Sequence, residues 1–287
     1  MPQTSTSPPG ISGSFLRRLI ALWQQYVRSL RHWYEQSCWW HRLPSLLWRA
    51  TCGRWLFAKA ALSRHEADAE ISAMRFVRAH TSIPVPHVWG CIRLPWARHD
   101  DCHIIMNRAA GVNLDSIWRK LDESARDRVV DQLKPFVDEM RRIPSPHGSA
   151  ICAVNGSSVV DHRLPYRQRG PFADEQAFNR ILRYFEPLHL LPPDIVAAHA
   201  LSHPIVLTHG DLMPRNIMVD PSTLKITAVV DWGCAGWFPA WWEYRKSVWT
   251  AYSALEKRSW VPRLSRFMTI YPMETEADDY LVRQFPP

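Results

Sequence analysis

Residues 206 to 220 read VLTHGDLMPRNIMVD, which sets His209, Asp211, Asn216 and Asp220 among apolar residues in one short stretch. Burying a polar group without a partner costs roughly 1–3 kcal/mol. A cluster this dense therefore needs internal partners or a ligand. The next β-rich run, KITAVVD, ends at Asp231, and the turn residues PSTL separate the two runs as in a hairpin. Asn216 and Asp231 lie nearly symmetrically about Thr223 and Leu224, so the hairpin brings both to its open end, within about one or two residues of register. Two hard oxygen ligands converge there. Magnesium suits such a mouth, because it takes one or two protein oxygens and completes its shell with waters and substrate phosphates. Asp211 precedes the first strand and can face the same spot. In isolation Asp211 and Asn216 have a simpler role as turn and cap formers; Asp231 at the matching distance favours ligation.

Several elements must position these groups. RWLFAKA reads as a short strand, residues 64 to 79 as a helix with Ile71, Met74, Phe76 and Val77 inward, and TSIPVP as its stop. HVWGCI and CHIIM come next as strands, with NRAAG as a connector. Beyond it the pattern predicts helices over 113 to 121, over 124 to 143 with a kink at Pro135, and over 173 to 186. The expected fold is α+β, with a small β-rich lobe over residues 51 to 110 and a larger helical lobe over 111 to 287.

The chain has 287 residues, of which 46% are hydrophobic, enough for a substantial core. Its six cysteines form no C-x-x-C pair, so a disulfide framework or zinc site is not indicated, and reduced thiols in a cytoplasmic monomer are expected. No run of eighteen apolar residues is present. The net charge of +8 resembles a nucleic-acid signature until it is mapped, because residues 1 to 60 carry eight basic side chains against the single acid Glu35. No RNA-binding signature accompanies them, and no nucleic-acid partner is expected. Residues 1 to 14 read as a disordered tail. Residues 15 to 50 form a basic, tryptophan-rich extension, and within it Phe15 to Tyr34 have amphipathic helical spacing. Three roles fit that helix: packing on the small lobe, peripheral membrane contact through residues 15 to 36, and an organelle-targeting segment that would make the protein mitochondrial.

HGDLMPRN and then VVDWG resemble the H-x-D-x-x-x-x-N catalytic loop and metal-binding aspartate of the protein-kinase-like fold, in the form found in aminoglycoside phosphotransferases and choline kinases. FVRAHTSIPVP, RGPFADEQAFN and GWFPAWWEY look like a poorly characterised fungal subgroup of that superfamily. The resemblance spans about residues 56 to 250. It implies a two-lobe kinase-like fold and ATP-dependent phosphoryl transfer with magnesium. Asp211 would accept the proton of the attacking hydroxyl, His209 would orient the catalytic loop, and Asn216 and Asp231 would hold the metal. Lys59 would contact the α/β-phosphates and pair with Glu70, while Met106, Asn107 and Arg108 would form the adenine-contacting hinge.

Protein kinases place a peptide platform after the metal aspartate, but here Glu243 comes only twelve residues after Asp231, and Gly210 stands where an arginine would hold a phosphorylated activation loop. Both features favour a small-molecule hydroxyl as acceptor. Trp237, Trp241 and Trp242 either wall its pocket or pack in the core. The acidic run METEADDY reads more readily as a solvated tail than as a lure for a cationic substrate. The pattern departs from the family in two respects: LWRATCGRW before Lys59 holds one glycine and no glycine-rich phosphate loop, and Asn107 and Ala240 stand where related sequences often have an acidic residue. A non-catalytic nucleotide- or partner-binding module is therefore the alternative function.

A three-stranded lobe with one helix leaves apolar surface that the extension can cover, so packing is the expectation for residues 15 to 36. Removing residues 1 to 45 should lower the thermal midpoint, because the lost burial is worth about 25 cal/mol per Å². An unchanged midpoint leaves the membrane and targeting roles.

Overall fold

The computed structural model describes residues 53–93, 102–164 and 168–285. The amino-terminal extension and its expected helix lie outside the described residues. Strand β1 (Leu56–Ala61) leads into helix α1 (Arg64–His80), then β2 (Val88–Ile92) and β3 (Cys102–Asn107). These strands form one antiparallel sheet in the order β1-β3-β2. Helix α1 starts where Ser63 accepts the amide of Glu66, and its buried face carries Ile71, Met74 and Val77. Phe76, expected inward, is only half-buried; it stacks on His80 with ring centroids 4.1 Å apart.

After the connector come β4 (Val112–Asn113), α2 (Leu114–Trp118), α3 (Glu123–Asp131) and α4 (Leu133–Arg142). The long helix expected over 124 to 143 is thus two helices, and the break at Gln132 falls where Pro135 has no amide to donate to Asp131 O four residues back. Gln132 carries αR backbone, but its side chain leaves the helix to donate to Leu224 O at 2.9 Å and accept from Ile226 N at 3.0 Å. Pro135 falls in the first turn of α4, where a missing amide is tolerated. The chain continues through β5 (Cys152–Ala153), β6 (Val159–Val160), β7 (Gln168–Arg169), α5 (Glu175–Leu182), α6 (Pro193–Ala200) and β8 (Ile205–Thr208). It ends with β9 (Ile217–Val219), β10 (Ile226–Val229), β11 (Gly236–Pro239), α7 (Trp242–Trp249), α8 (Ala254–Ser259) and α9 (Pro272–Gln284). Two further three-stranded sheets have the orders β10-β9-β4 and β5-β11-β8.

One apolar core joins the lobes, running from Met74 and Val77 of α1 through Ile104 and Met106 to Ile217, Trp232 and Trp237. A second lies deep in the helical lobe, where Phe178 meets Trp242 edge-on at 4.8 Å. Trp237, Trp241 and Trp242 are all buried, so they pack the core and do not wall a pocket.

The acidic run METEADDY is not a solvated tail. It lies in α9, and Asp278 is buried 2.5 Å from both Arg163 Nη2 and Arg245 Nε. Burial alone would push this carboxyl up, but the two guanidiniums outweigh it and hold it below the usual carboxylate range. Asp278→Ala should destabilise the fold by about 3–5 kcal/mol, because two buried cations lose their shared partner. Urea midpoints at neutral pH check this. A carboxyl with a depressed folded value contributes above the unfolded value of about 3.9, so the gap between variant and parent should close as pH falls below that.

Candidate active site

The β9–β10 hairpin sets the geometry. Val229 pairs with Ile217 and Ala228 with Met218, and Val230 N donates to Asn216 O at 2.9 Å. Asn216 thus lies opposite the residue before Asp231, one position from the symmetric pairing. Asp231 leaves β10 with φ +66°, a left-handed turn that aspartate tolerates better than most residues.

Asn216 also reaches back to the loop before β9. Its Nδ2 donates to Asp211 O at 2.8 Å and to Asp211 Oδ2 at 2.7 Å. The hairpin mouth therefore joins Asp211, Asn216 and Asp231 in one node. Lys59, on β1, enters from the small lobe: its Nζ is 2.7 Å from both oxygens of Glu70 and 2.5 Å from Asp231 Oδ1. Burial works against the ammonium, but the carboxylates of Glu70 and Asp231 outweigh it and raise its pKa. Burial pushes Glu70 up despite Lys59. Asp231 shows the reverse balance, in which desolvation is overcome by the Lys59 charge and the carboxyl is held low. Asp231 is accordingly ionised beside a cationic Lys59.

Magnesium fits this donor set. No cage of three or more His, Cys, Asp or Glu side chains exists among the described residues, so a metal here needs phosphate or water oxygens to complete its shell. Asp231 has a side chain 48% exposed and is bonded through Oδ1. Asn216 would supply the neutral oxygen ligand.

His209 is fully buried and acts on the loop itself. Asp211 N donates to its Nδ1 at 3.2 Å, so Nε2 carries the proton and donates to Val230 O at 3.1 Å. Both ring nitrogens are engaged with backbone, which leaves none for a substrate. The expected hinge residues lie at the end of β3 and in the connector that follows it. Met106 is buried, Asn107 N donates to His87 O at 2.9 Å, and Arg108 N donates to Trp55 O at 2.7 Å. Their side chains turn elsewhere: Asn107 Oδ1 accepts from Trp89 Nε1 at 2.7 Å, and Arg108 lies 5.6 Å from the Phe57 ring. The amides of Asn107 and Arg108 are thus already committed within the sheet.

Two residues without an assigned role prove central. Buried Glu243, at the start of α7, accepts His209 N at 2.6 Å and Gly210 N at 3.2 Å. Gly210 has φ +77°, and a Cβ there would lie 2.6 Å from Cys234 O, so the loop requires glycine. Arg215 lies 2.5 Å from Asp211 Oδ1 through Nη2 and 5.7 Å from the Tyr252 ring. Its i,i+4 spacing from Asp211 was visible in the sequence, although the intervening backbone is a loop and a 3-10 turn.

The chain matches the phosphotransferase enzyme family over residues 45–280. It belongs to that family. Among solved structures, the GDP complex of wild-type aminoglycoside 2'-phosphotransferase-IIIa is similar at a TM-score of 0.51 and 14% identity, covering 79% of this chain and 75% of that one. A GDP and kanamycin complex of APH(2")-IIIa gives 0.51 and 14%, over 79% and 76%. A thermostable aminoglycoside phosphotransferase APH(4)-Ia with AMP-PNP and hygromycin B gives 0.50 and 15%, over 80% and 87%. At these identities the likeness speaks to the fold, which is protein-kinase-like with two lobes. No curated protein matches the chain.

Glu243→Ala should leave two buried amides without acceptors and cost about 2–4 kcal/mol. Chemical denaturation reads that cost; Glu243→Gln, which retains one acceptor oxygen, should lose less.

Proposed function

We propose that this phosphotransferase moves the γ-phosphoryl group of ATP to the hydroxyl of a small molecule. The observation that carries this reading is the single node in which Asp211 and Asn216 share a hydrogen bond beside Asp231, itself 2.5 Å from Lys59. Within it, Asp211 orients the acceptor hydroxyl and takes its proton as the oxygen attacks phosphorus in line and the bond to the ADP oxygen breaks. Arg215 holds the Asp211 carboxylate in place. Lys59, freed from Asp231 by the incoming nucleotide, binds phosphate oxygens while Glu70 keeps its ammonium aimed. Asn216 and Asp231 would hold magnesium, which supplies charge neutralisation on the phosphates when bound. His209 and Glu243 act indirectly, by fixing the loop that carries Asp211.

The path of the chain after Asp231 supports a small acceptor. It makes one 3-10 turn, enters the buried strand β11 and reaches α7, with no segment to present a peptide. Nucleotides accompany the structural relatives as GDP and AMP-PNP. We assign ATP here from the resemblance of the HGDLMPRN and VVDWG strings to ATP-dependent phosphotransferases, with Lys59 and the mouth of the β9–β10 hairpin as the groups that would meet its phosphates.

Purified protein should consume ATP in the presence of one member of a panel of amino alcohols, sugars and aminoglycosides. Asp211→Asn should remove turnover while keeping most nucleotide affinity, since this carboxylate acts in transfer and not in holding ATP. A variant that turns over at the parental rate rejects the base assignment. Titration calorimetry should also show ATP binding that depends on magnesium and is lost in Asp231→Ala. Equal affinity with and without the metal in the parent would instead indicate a non-catalytic nucleotide-binding module.

A further inference from the structure

A cleft of about 420 Å³ lies at the connector between the lobes, and none of Lys59, Glu70, Asp211, Asn216 or Asp231 borders it. One wall is the Ile83–His87 segment that stops α1, and the other is Asn107 to Ala110 with Thr227 and Ala228 of β10. The walls are stiff. Pro84 O accepts from Val229 N at 2.8 Å, and Thr227 Oγ1 donates to Ala110 O at 2.6 Å, so prolines and paired backbone hold the opening apart.

Its charge is one-sided. Arg78, His87 and Arg108 contribute to the lining, and no carboxylate does. Arg78 Nη1 donates to Val85 O at 2.9 Å and Arg108 Nε to Gly53 O at 2.6 Å; neither guanidinium has a carboxylate partner among the described residues. Several other arginines of the described residues do have carboxylate partners, as Arg163 and Arg245 have Asp278 and Arg263 has Asp127. Burial first, and then the charges of Arg78 and Arg75, lower the pKa of His87, in keeping with a net positive field at the cleft. The remaining surface, formed by Pro84, Val85, Pro86, Ala109 and Ala110, is apolar. Two uncompensated guanidiniums beside an apolar wall suit a small anion with a flat apolar body.

We propose that this cleft is a second binding site, separate from the phosphotransfer centre, for a small molecule carrying a carboxylate or phosphate monoester on an apolar body. Arg78 and Arg108 take the anion, and the proline and alanine walls take the body. The site is placed to regulate. Its Asn107 and Arg108 belong to the connector between the lobes, and its Thr227 and Ala228 belong to the strand that ends just before Asp231. A ligand wedged between Pro84 and the connector therefore bears on both lobes without entering the catalytic node. Binding there requires no step of phosphoryl transfer.

Phenyl phosphate and benzoate are suitable probes, titrated calorimetrically into the full-length protein saturated with AMP-PNP and magnesium so that the nucleotide site is filled. At least one probe should bind with 1:1 stoichiometry. Arg78→Gln and Arg108→Gln should each weaken it by about tenfold or more, as expected for loss of a charge-assisted hydrogen bond. Arg78 and Arg108 are exposed residues that each bond one backbone carbonyl, so the variants should remain folded, and a melting curve accompanies each titration to verify it. Binding that AMP-PNP abolishes would assign the probe to the nucleotide site and overturn the proposal. So would affinity unchanged in both variants, or no binding of either probe at millimolar concentration.

Discussion

One ammonium group joins the two halves of this molecule. Lys59 leaves the small sheet, meets Glu70 on α1 and reaches Asp231 at the mouth of the β9–β10 hairpin. A single cation between two carboxylates cannot satisfy both fully, and the exposures of the partners show how the conflict is resolved. Glu70 is buried and Asp231 is half open, so the first contact is the permanent one and the second is available for exchange. An anionic ligand can displace Asp231 from the lysine while Glu70 keeps the ammonium paired.

Beneath that exchangeable contact the helical lobe is rigid and rich in buried charge. Lys246 lies 2.7 Å from Asp161, with both side chains almost entirely buried. Trp242 Nε1 donates to the other Asp161 oxygen at 3.0 Å, and Arg163 N donates to the first at 2.8 Å. Such groups stabilise little in net terms, because desolvation offsets most of the attraction, but breaking them is costly and their geometry is directional. They place α7, which carries Glu243, against the loop that carries His209 and Asp211. Glu243 in turn holds the amides on either side of the His209–Gly210 bond. The position of Asp211 is thereby set by a chain of buried hydrogen bonds and not by contacts at the surface.

The small sheet is less complete. Among the described residues β1 pairs only with β3, and Trp55 and Phe57 are exposed beside Lys59. Kinase-like folds cover nucleotide phosphates with a glycine-rich hairpin, and no such sequence precedes Lys59 here. In the proposed reaction, phosphate contact would therefore rest on Lys59 and on the hairpin mouth. Arg108, drawn over Phe57 and bonded to Gly53, closes part of that edge and keeps its backbone amide within the sheet.

Local sequence alone was enough to mark the central machinery. A hairpin has period-two strands and a short turn, so the separation of Asn216 and Asp231 determined their meeting to within one residue of the observed pairing. Helix α1 was legible for the same reason, as its apolar spacing and the TSIPVP stop are local signals. Beyond the reach of sequence lay every choice that depends on a distant partner. Gln132, at the helix break, ties it to the β9–β10 turn because that turn offers its side chain two backbone groups. The acids of METEADDY resemble a solvated tail until Arg163 and Arg245 surround Asp278. Glu243 and Gly210 gain their meaning from each other and from Cys234, none of which sequence spacing can bring together. Periodicity and caps act over a few residues, whereas burial and charge pairing are properties of the closed core, and only the folded chain decides which polar groups meet there.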